Sequence, residues 1–404
     1  MAKVLTDKKL IEEFLNRGVE NIYPNRKFVE AKLATGARLT MYLGIDPTGP
    51  TLHLGHAIIL AKLKKWQEMG HKVVLLIGSF TGMMGDPTDK SAARQQLTKK
   101  EVLNNAKKYQ KQAAKFIAFT GTNPAKLVYN HEWLENMSFK EVIELASRFT
   151  VQRMLERDMF EKRMQEGKPI HLHEFLYPLM QGYDSVVLDT DGEIGGNDQT
   201  FNMLAGRDLM KSMLNKEKFV ITMKLLTDSS GVKMGKTTGN MITFEDSAGD
   251  IYGKIMSWPD EFILSGFELC SRVDIEEINK ITKDIQNGAN PRDCKMTLAR
   301  EVVKIYYNEA EARKAESDFI QTIQKKEAPD DINIKKLQAK IVNIVDLLVE
   351  TELAKSKNEA RRLIEQGGIK IDNTVVKDIN KMVNITTQGV LIQRGKRRFL
   401  RVVE

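Results

Sequence analysis

The sequence predicts an α/β protein: a doubly wound parallel sheet, then a helical domain, then a small α/β tail. Three observations carry that expectation. Thr40 to Ile45 (TMYLGI) and Lys72 to Gly78 (KVVLLIG) are short apolar runs, read as strands buried on both faces, the habit of parallel sheets. A helical pattern separates them, which gives strand–helix–strand order. Basic charge collects at the far end: Lys340 to Glu404 holds 13 basic and 8 acidic side chains, +5 of the chain's net +8.

The first unit is built around those two runs. Between them a helix opens near His53, with Ile58, Ile59, Leu63 and Trp66 at helical spacing. Thr98 and Glu101 make a capping box. The helix it opens carries Val102, Ala106, Tyr109, Ala113, Phe116 and Ile117 on one stripe. Lys126 to Tyr129 reads as the next strand. Ser138 to about Gln165 reads as helix, with Met154, Met159 and Met164 among charges. Ser185 to Leu188 and Val220 to Met223 read as further strands. Glu261 to about Lys326 is mostly helical.

Lys325 to Lys340 is polar, carries Pro329 and reads as a linker. After it, Ser356 and Glu359 suggest another capping box. A helix from Lys357 to Gln366 stops at Gly367 and Gly368 and leads into short strands (IKID, TVV, VLIQ, RFLRVV). The expected organisation is residues 1–225 as the sheet domain with a helical insertion at about 115–165. Residues 226–325 form a loop and helical domain, 326–340 a linker, and 341–404 the tail.

Composition narrows the class. The chain has 404 residues, 42% hydrophobic and 29% charged, the balance of a globular protein with a sizeable core. No apolar run could span a bilayer, and MAKVLTDKKLIEEFLNRG reads as an amphipathic helix without a signal core. Cys270 and Cys294 are too few for a disulfide framework or a Cys-rich zinc site. A cytoplasmic protein is the expectation.

The chemistry concentrates in a few stretches. Gly44-Ile45-Asp46-Pro47-Thr48-Gly49-Pro50-Thr51-Leu52-His53-Leu54-Gly55-His56 follows a strand and opens a helix, where open α/β sheets bind ligands. Free N–H groups and the helix dipole suit an anion there. His53 and His56 share a helix face, and Gly55 lets a ligand near the backbone. Two imidazoles and the Thr48 hydroxyl can donate to phosphate oxygens. Two histidines can also be a surface or metal-binding pair, but no acidic or Cys side chain lies close in sequence. Gly231-Val232-Lys233-Met234-Gly235-Lys236-Thr237-Thr238-Gly239-Asn240 sets two lysines three apart among glycines, a loop able to close over polyphosphate.

Together these two stretches resemble the H-I-G-H and K-M-S-K-S signatures of class I aminoacyl-tRNA synthetases, in order and separation. Leu54 replaces Ile, and Gly235 and Thr237 replace the two serines. Tyr177-Pro178-Leu179-Met180-Gln181-Gly182-Tyr183-Asp184, Gly195-Gly196-Asn197-Asp198-Gln199, Tyr42, and Gly82-Met83-Met84-Gly85-Asp86-Pro87 look like the tyrosyl-tRNA synthetases within that class. The resemblance runs over nearly the whole chain. It implies a Rossmann-type catalytic domain and a tail similar to the S4 RNA-binding module of bacterial forms.

The resemblance also implies roles. Tyr42 and Asp184 would contact the substrate phenol. Asp86, Tyr177 and Gln181 would hold its ammonium group, and Gln199 would lie near its carboxylate. Thr48, His53 and His56 would stabilise the ATP phosphates, and Asp198 would bind the ribose. Gly44, Asp46, Gly55 and Gly196 would complete the ATP site. Lys90, Arg94, Lys233, Lys236 and Thr237 would surround the leaving pyrophosphate. Magnesium would arrive with ATP, with no dedicated metal site. The partners implied are ATP, L-tyrosine, the tyrosine tRNA and a second copy of the chain through the insertion. Trp66, Trp133 and Trp258 read as core rather than site. In the tail, Lys357, Arg361, Arg362, Arg394, Lys396, Arg397, Arg398 and Arg401 suit phosphate-backbone contacts. Rival readings are a tryptophanyl-tRNA synthetase and an H-x-G-H nucleotidyltransferase. Asp184 beside Tyr42 and the S4-like tail disfavour the first; the lysine loop and the tail disfavour the second.

Overall fold

The structure is a computed structural model that describes residues 3–87, 97–227, 241–324, 333–337, 340–387, 389–395 and 398–404. It divides into two compact units, Met1–Glu245 with Glu261–Lys283, and Asp246–Asp260 with Asp284–Glu404.

The first unit holds a six-stranded sheet. Its strands are β1 (Val19–Tyr23), β2 (Thr40–Ile45), β3 (Lys72–Ile77), β4 (Lys126–Tyr129), β5 (Gly192–Gly196) and β6 (Phe219–Met223). The order is β1-β6-β5-β2-β3-β4; only β1 runs antiparallel to its neighbour. From β2 the chain winds outward through β3 and β4, then returns to β5 on the other side of β2. The reversal leaves a crevice beyond the carboxyl ends of β2 and β5, the usual ligand site of such sheets. The apolar runs behave as their composition demands: Met41, Leu43 and Ile45 of β2 and all of β3 after Lys72 are buried.

Several helices bear on the site. Leu54–Glu68 follows β2, with His53 as its N-cap. Thr98 and Glu101 cap Lys99–Ala106 reciprocally, and the expected stripe is buried throughout, although the helix breaks before Tyr109–Ala113. The stretch from Ser138 is three short helices: Phe139–Ala146, Val151–Leu155 and Asp158–Gln165.

Two expectations fail near the crevice. Ser185 to Leu188 is not a strand; it is the last turn of a long helix, Leu172–Leu188. Its β-branched valines mimic a strand locally, but packing decides. This helix lies on Thr200–Leu214 where Gly182 meets Gly206: a Cβ on Gly182 would sit 3.0 Å from the Gly206 nitrogen. The strand is instead β5, whose sequence, GEIGG, carries little strand propensity. Its glycines are needed for space, since a Cβ on Gly192 would fall 2.1 Å from the Phe219 ring.

The second unit contains Ala248–Met256, Pro291–Tyr306 and Glu309–Phe319, with Tyr252 against Phe319 at 5.3 Å between ring centroids. It also contains the tail. There β7 (Asn333–Lys336), β8 (Ile341–Asn343), β9 (Ile369–Ile371), β10 (Thr374–Val376), β11 (Met382–Asn384), β12 (Val390–Arg394) and β13 (Arg398–Val403) form two sheets. Helices Ile344–Glu350 and Lys357–Glu365 pack on them around Ile344, Leu347, Ile364, Ile369, Ile392 and Val402. The expected linker thus contains a strand: β7 pairs in parallel with β13, and its backbone bonds bind it to the tail. The second capping box is half formed. Ser356 accepts from the Glu359 N–H, but the Glu359 carboxylate accepts from Lys355 instead.

Candidate active site

The ends of β2, β3 and β5, with the helix Leu172–Leu188, bring most of the expected side chains together. That helix sets Tyr177, Gln181 and Asp184 at spacings of four and three, hence on one face, with Ser185 beside them. All but half-buried Gln181 are buried.

One polar chain joins Asp184 to Tyr177 through Asn130, Thr81 and Asp46. Asp184, 1% exposed, accepts from the Trp133 indole N–H at 2.8 Å and from the Asn130 amide at 3.2 Å. Asn130 also donates to the Thr81 hydroxyl at 3.1 Å, which donates to Asp46 at 2.7 Å. The second Asp46 oxygen accepts from Tyr177 at 2.8 Å. Gly78 makes this possible: a Cβ there would lie 1.9 Å from Asp46 Oδ1. Burial raises the Asp184 carboxyl well above the usual carboxylate range, against the two N–H donors that favour its ionised form. Burial likewise raises Tyr177 and Tyr42, so both keep their protons.

Asp86 forms a second cluster. It accepts from Gln199 at 2.7 Å and pairs with Arg157 at 3.0 Å. Gln199 in turn accepts from Asn202 at 2.9 Å. Expected near a substrate carboxylate, Gln199 here anchors Asp86. A third cluster lies behind Tyr42. Its hydroxyl meets Ser185 Oγ at 2.7 Å, and Ser185 accepts from Lys218 at 2.8 Å. Lys218 pairs with Glu193, which also accepts from Gln181 at 3.3 Å.

The histidines sit where β2 feeds its helix. His53 Nδ1 accepts from the Gly55 N–H, and His56 Nδ1 from the His53 N–H, each at 3.2 Å. Burial and the neighbouring His53 hold His56 well below its usual range. A ring whose Nδ1 accepts carries its proton on Nε2, so both present N–H donors. Thr48 is exposed on the preceding loop. Gly55 is also exposed, and a Cβ there would crowd the His53 ring at 3.1 Å. Gly196 gives Asp198 room, since its Cβ would lie 2.5 Å from Asp198 Oδ1. Gly44 has no such need; a Cβ would meet only ordinary contact with Leu76. Lys90, Arg94, Lys233, Lys236 and Thr237 lie outside the described residues.

Trp133 is corrected: it packs beside Tyr42 and Val128, but its N–H is spent on Asp184. A lone Trp carries no sequence signal for that. Asn130, Ser185, Glu193 and Lys218 were also missed, although a Lys or Glu inside a buried strand region is itself a signal.

The chain matches two family models and several known proteins. Residues 34–324 match the model of class I tRNA synthetases for tryptophan and tyrosine, and residues 324–402 that of a tyrosine–tRNA ligase SYY-like C-terminal domain. A tyrosine–tRNA ligase of Moorella thermoacetica is 45% identical over 393 residues, covering 96% of this chain and 94% of that protein. One of Thermotoga maritima is 43% identical, covering 96% of each. Among solved structures, a C-terminally truncated mitochondrial tyrosyl-tRNA synthetase of Aspergillus nidulans has the same fold. Its TM-score is 0.65 at 24% identity, over 78% of this chain and 94% of that one.

Proposed function

The chain belongs to the tyrosine–tRNA ligase family, and from that premise we propose how its crevice performs the ATP-dependent joining of tyrosine to tRNA. Tyrosine lies with its phenol between Tyr42 and Asp184 and its ammonium group near Asp86, Tyr177 and Gln181. Its carboxylate attacks the α-phosphorus of ATP; pyrophosphate leaves and tyrosyl-adenylate remains. The terminal ribose hydroxyl of the tRNA then attacks the acyl carbon and AMP leaves. No side chain forms a covalent intermediate. Positioning and charge stabilisation do the catalysis.

The observation that carries the tyrosine pocket is Asp184 itself. A buried carboxylate held by two neutral donors keeps acceptor capacity for one more, and a substrate O–H fits that demand. Phenylalanine would leave it unmet, the logic for which the handling of Phe by this same enzyme family is the standard illustration. At the other end, the Nε2–H groups of His53 and His56 would donate to phosphate oxygens. Thr48 adds a hydroxyl, Asp198 takes the ribose, and Lys90, Arg94, Lys233, Lys236 and Thr237 complete the pyrophosphate site.

Magnesium would enter on the ATP phosphates; among the described residues no group of three or more His, Cys, Asp or Glu is placed to hold a metal. The tail would bind tRNA. A homodimer is proposed from the insertion, where Phe139 is 79% exposed and Ile143, one turn on, is 53%. Sedimentation reads that state directly. No helix among the described residues is long and apolar enough to cross a membrane, and a cytoplasmic location is proposed.

Pyrophosphate exchange with each of the twenty amino acids tests the reading. Tyrosine should drive exchange, and Phe and Trp should not. Exchange driven best by Trp would overturn it.

A further inference from the structure

Behind the proposed pocket lies a buried ionic group with no part in the steps above. Lys218 is 0% exposed and Glu193 2%, and they pair with each other. Such a pair is a costly thing to bury and is weak evidence for stability. The fold makes room for it: a Cβ on Gly206 would lie 2.6 Å from Ser185 Oγ and 2.7 Å from Lys218 Nζ. Lys218 also lies over the Tyr42 ring, 5.7 Å from its centroid.

The hydrogen-bond chain from this pair has a direction. An ammonium can only donate, so Ser185 Oγ is the acceptor from Lys218 at 2.8 Å. Among the described residues the one other partner of Ser185 is the Tyr42 hydroxyl, at 2.7 Å. A buried hydroxyl proton needs an acceptor, so Ser185 gives its proton to the Tyr42 oxygen. Tyr42 therefore keeps its own proton to give away. The Glu193 carboxylate, close enough to act on Tyr42, also keeps it protonated, and it is the acceptor that a bound phenol must displace.

Resting on the reading that Tyr42 and Asp184 meet the substrate phenol, we propose that Lys218, through Ser185, is a positioning residue that fixes Tyr42 as a hydrogen-bond donor. The pocket then offers one donor, Tyr42, and one acceptor, Asp184. It selects a group that both accepts and donates: a hydroxyl, and not an amine. Glu193 neutralises Lys218 and, through Gln181, ties the device to the helix that carries Asp184.

The probe is p-aminophenylalanine, whose aromatic amino group donates to a carboxylate but accepts poorly. Pyrophosphate exchange on the full-length protein gives kcat/KM for tyrosine, p-aminophenylalanine and phenylalanine. Wild type should prefer tyrosine to the amine. Ser185→Ala frees Tyr42 to turn and accept, so the preference should narrow by roughly three- to tenfold, the worth of one neutral hydrogen bond. Lys218→Gln with Glu193→Gln removes both charges, puts an amide that can donate or accept beside Ser185, and should narrow it likewise. A merely structural role would lower the thermal midpoint of either variant and leave the ratio alone, which overturns the proposal. Tyr42→Phe separates the two layers. If it leaves the tyrosine-to-phenylalanine ratio unchanged, the pocket reading fails and the inference with it. If it moves that ratio while Ser185→Ala leaves the amine ratio at the wild-type value, the inference alone fails.

Discussion

Asp184 shows how far one residue's role depends on its neighbours' hydrogen-bond inventories. Its carboxylate receives the Trp133 indole, which has no alternative role, and the Asn130 amide, whose oxygen is already taken by the Phe80 N–H at 2.8 Å. Asp184→Asn would put an NH2 group among these donors. Trp133 would hold the one remaining oxygen, and the NH2 group in place of the other cannot accept, so the site's acceptor capacity is halved and its charge lost. A charge-assisted hydrogen bond is worth about 1.5–3 kcal/mol, so kcat/KM for tyrosine in exchange should fall on the order of tenfold or more. The gap to phenylalanine should narrow. Unaltered discrimination would make the carboxylate purely structural. At this scale the sequence was readable where a motif surrounds the residue: Asp46, Tyr177 and Asp184 share one polar network. It was silent where the partner is brought in from elsewhere. Trp133 and Asn130 stand 51 and 54 residues from Asp184 in the chain.

Elements were legible in proportion to how local their causes are. β3 and β4 match their apolar runs, and the Thr98 cap needs only a side chain three residues away. The helix Leu172–Leu188 and β5 were misread because non-local packing decides them. The helix persists through Ser185-Val186-Val187 since its face must cover Thr200–Leu214, and the glycines of β5 serve neighbours rather than the strand. That gives glycine two opposite meanings within helices. At Gly206 an added methyl meets Ser185 Oγ and Lys218 Nζ under 3 Å away. Gly206→Ala should cost about 1–3 kcal/mol, the usual penalty of overpacking, despite the better helix propensity of Ala. At Gly249, in Ala248–Met256, a Cβ would meet nothing within 4 Å. Gly249→Ala should instead gain about 0.5–1 kcal/mol. Chemical denaturation of the two variants measures both; shifts of the same sign would show that space around Gly206 is not what selects its glycine.

For the molecule as a whole, charge and hydrogen bonding assign the two half-reactions to different regions. Every described residue placed at tyrosine or ATP lies in the first unit, whereas the tail carries +5 of the net +8. The composition shift marked the tail in the sequence, but its start was set too late, because β7 looks polar and owes its existence to pairing with β13. A cut at residue 335 would split that strand. A cut after Gln324 removes it whole, where the match to the C-terminal domain also begins. The shortened protein should keep pyrophosphate exchange near the wild-type rate, because none of the activation side chains is lost. Its tRNA charging should collapse. Phosphate contacts release counterions, with a slope in log affinity against log salt of roughly −0.7 to −0.9 per phosphate neutralised. Full-length protein should therefore lose tRNA affinity steeply with added salt, and the shortened one more shallowly. Not every tail arginine contributes equally: Arg394 is engaged by Glu359 at 2.9 Å, whereas Arg361 and Arg362 are exposed. Replacing both exposed arginines with Gln should flatten the slope by about two phosphates' worth, and Arg394→Gln should act mainly through stability. Charging that survives the cut would remove the tail from tRNA binding altogether. Loss of exchange would mean that the catalytic unit depends on it to fold.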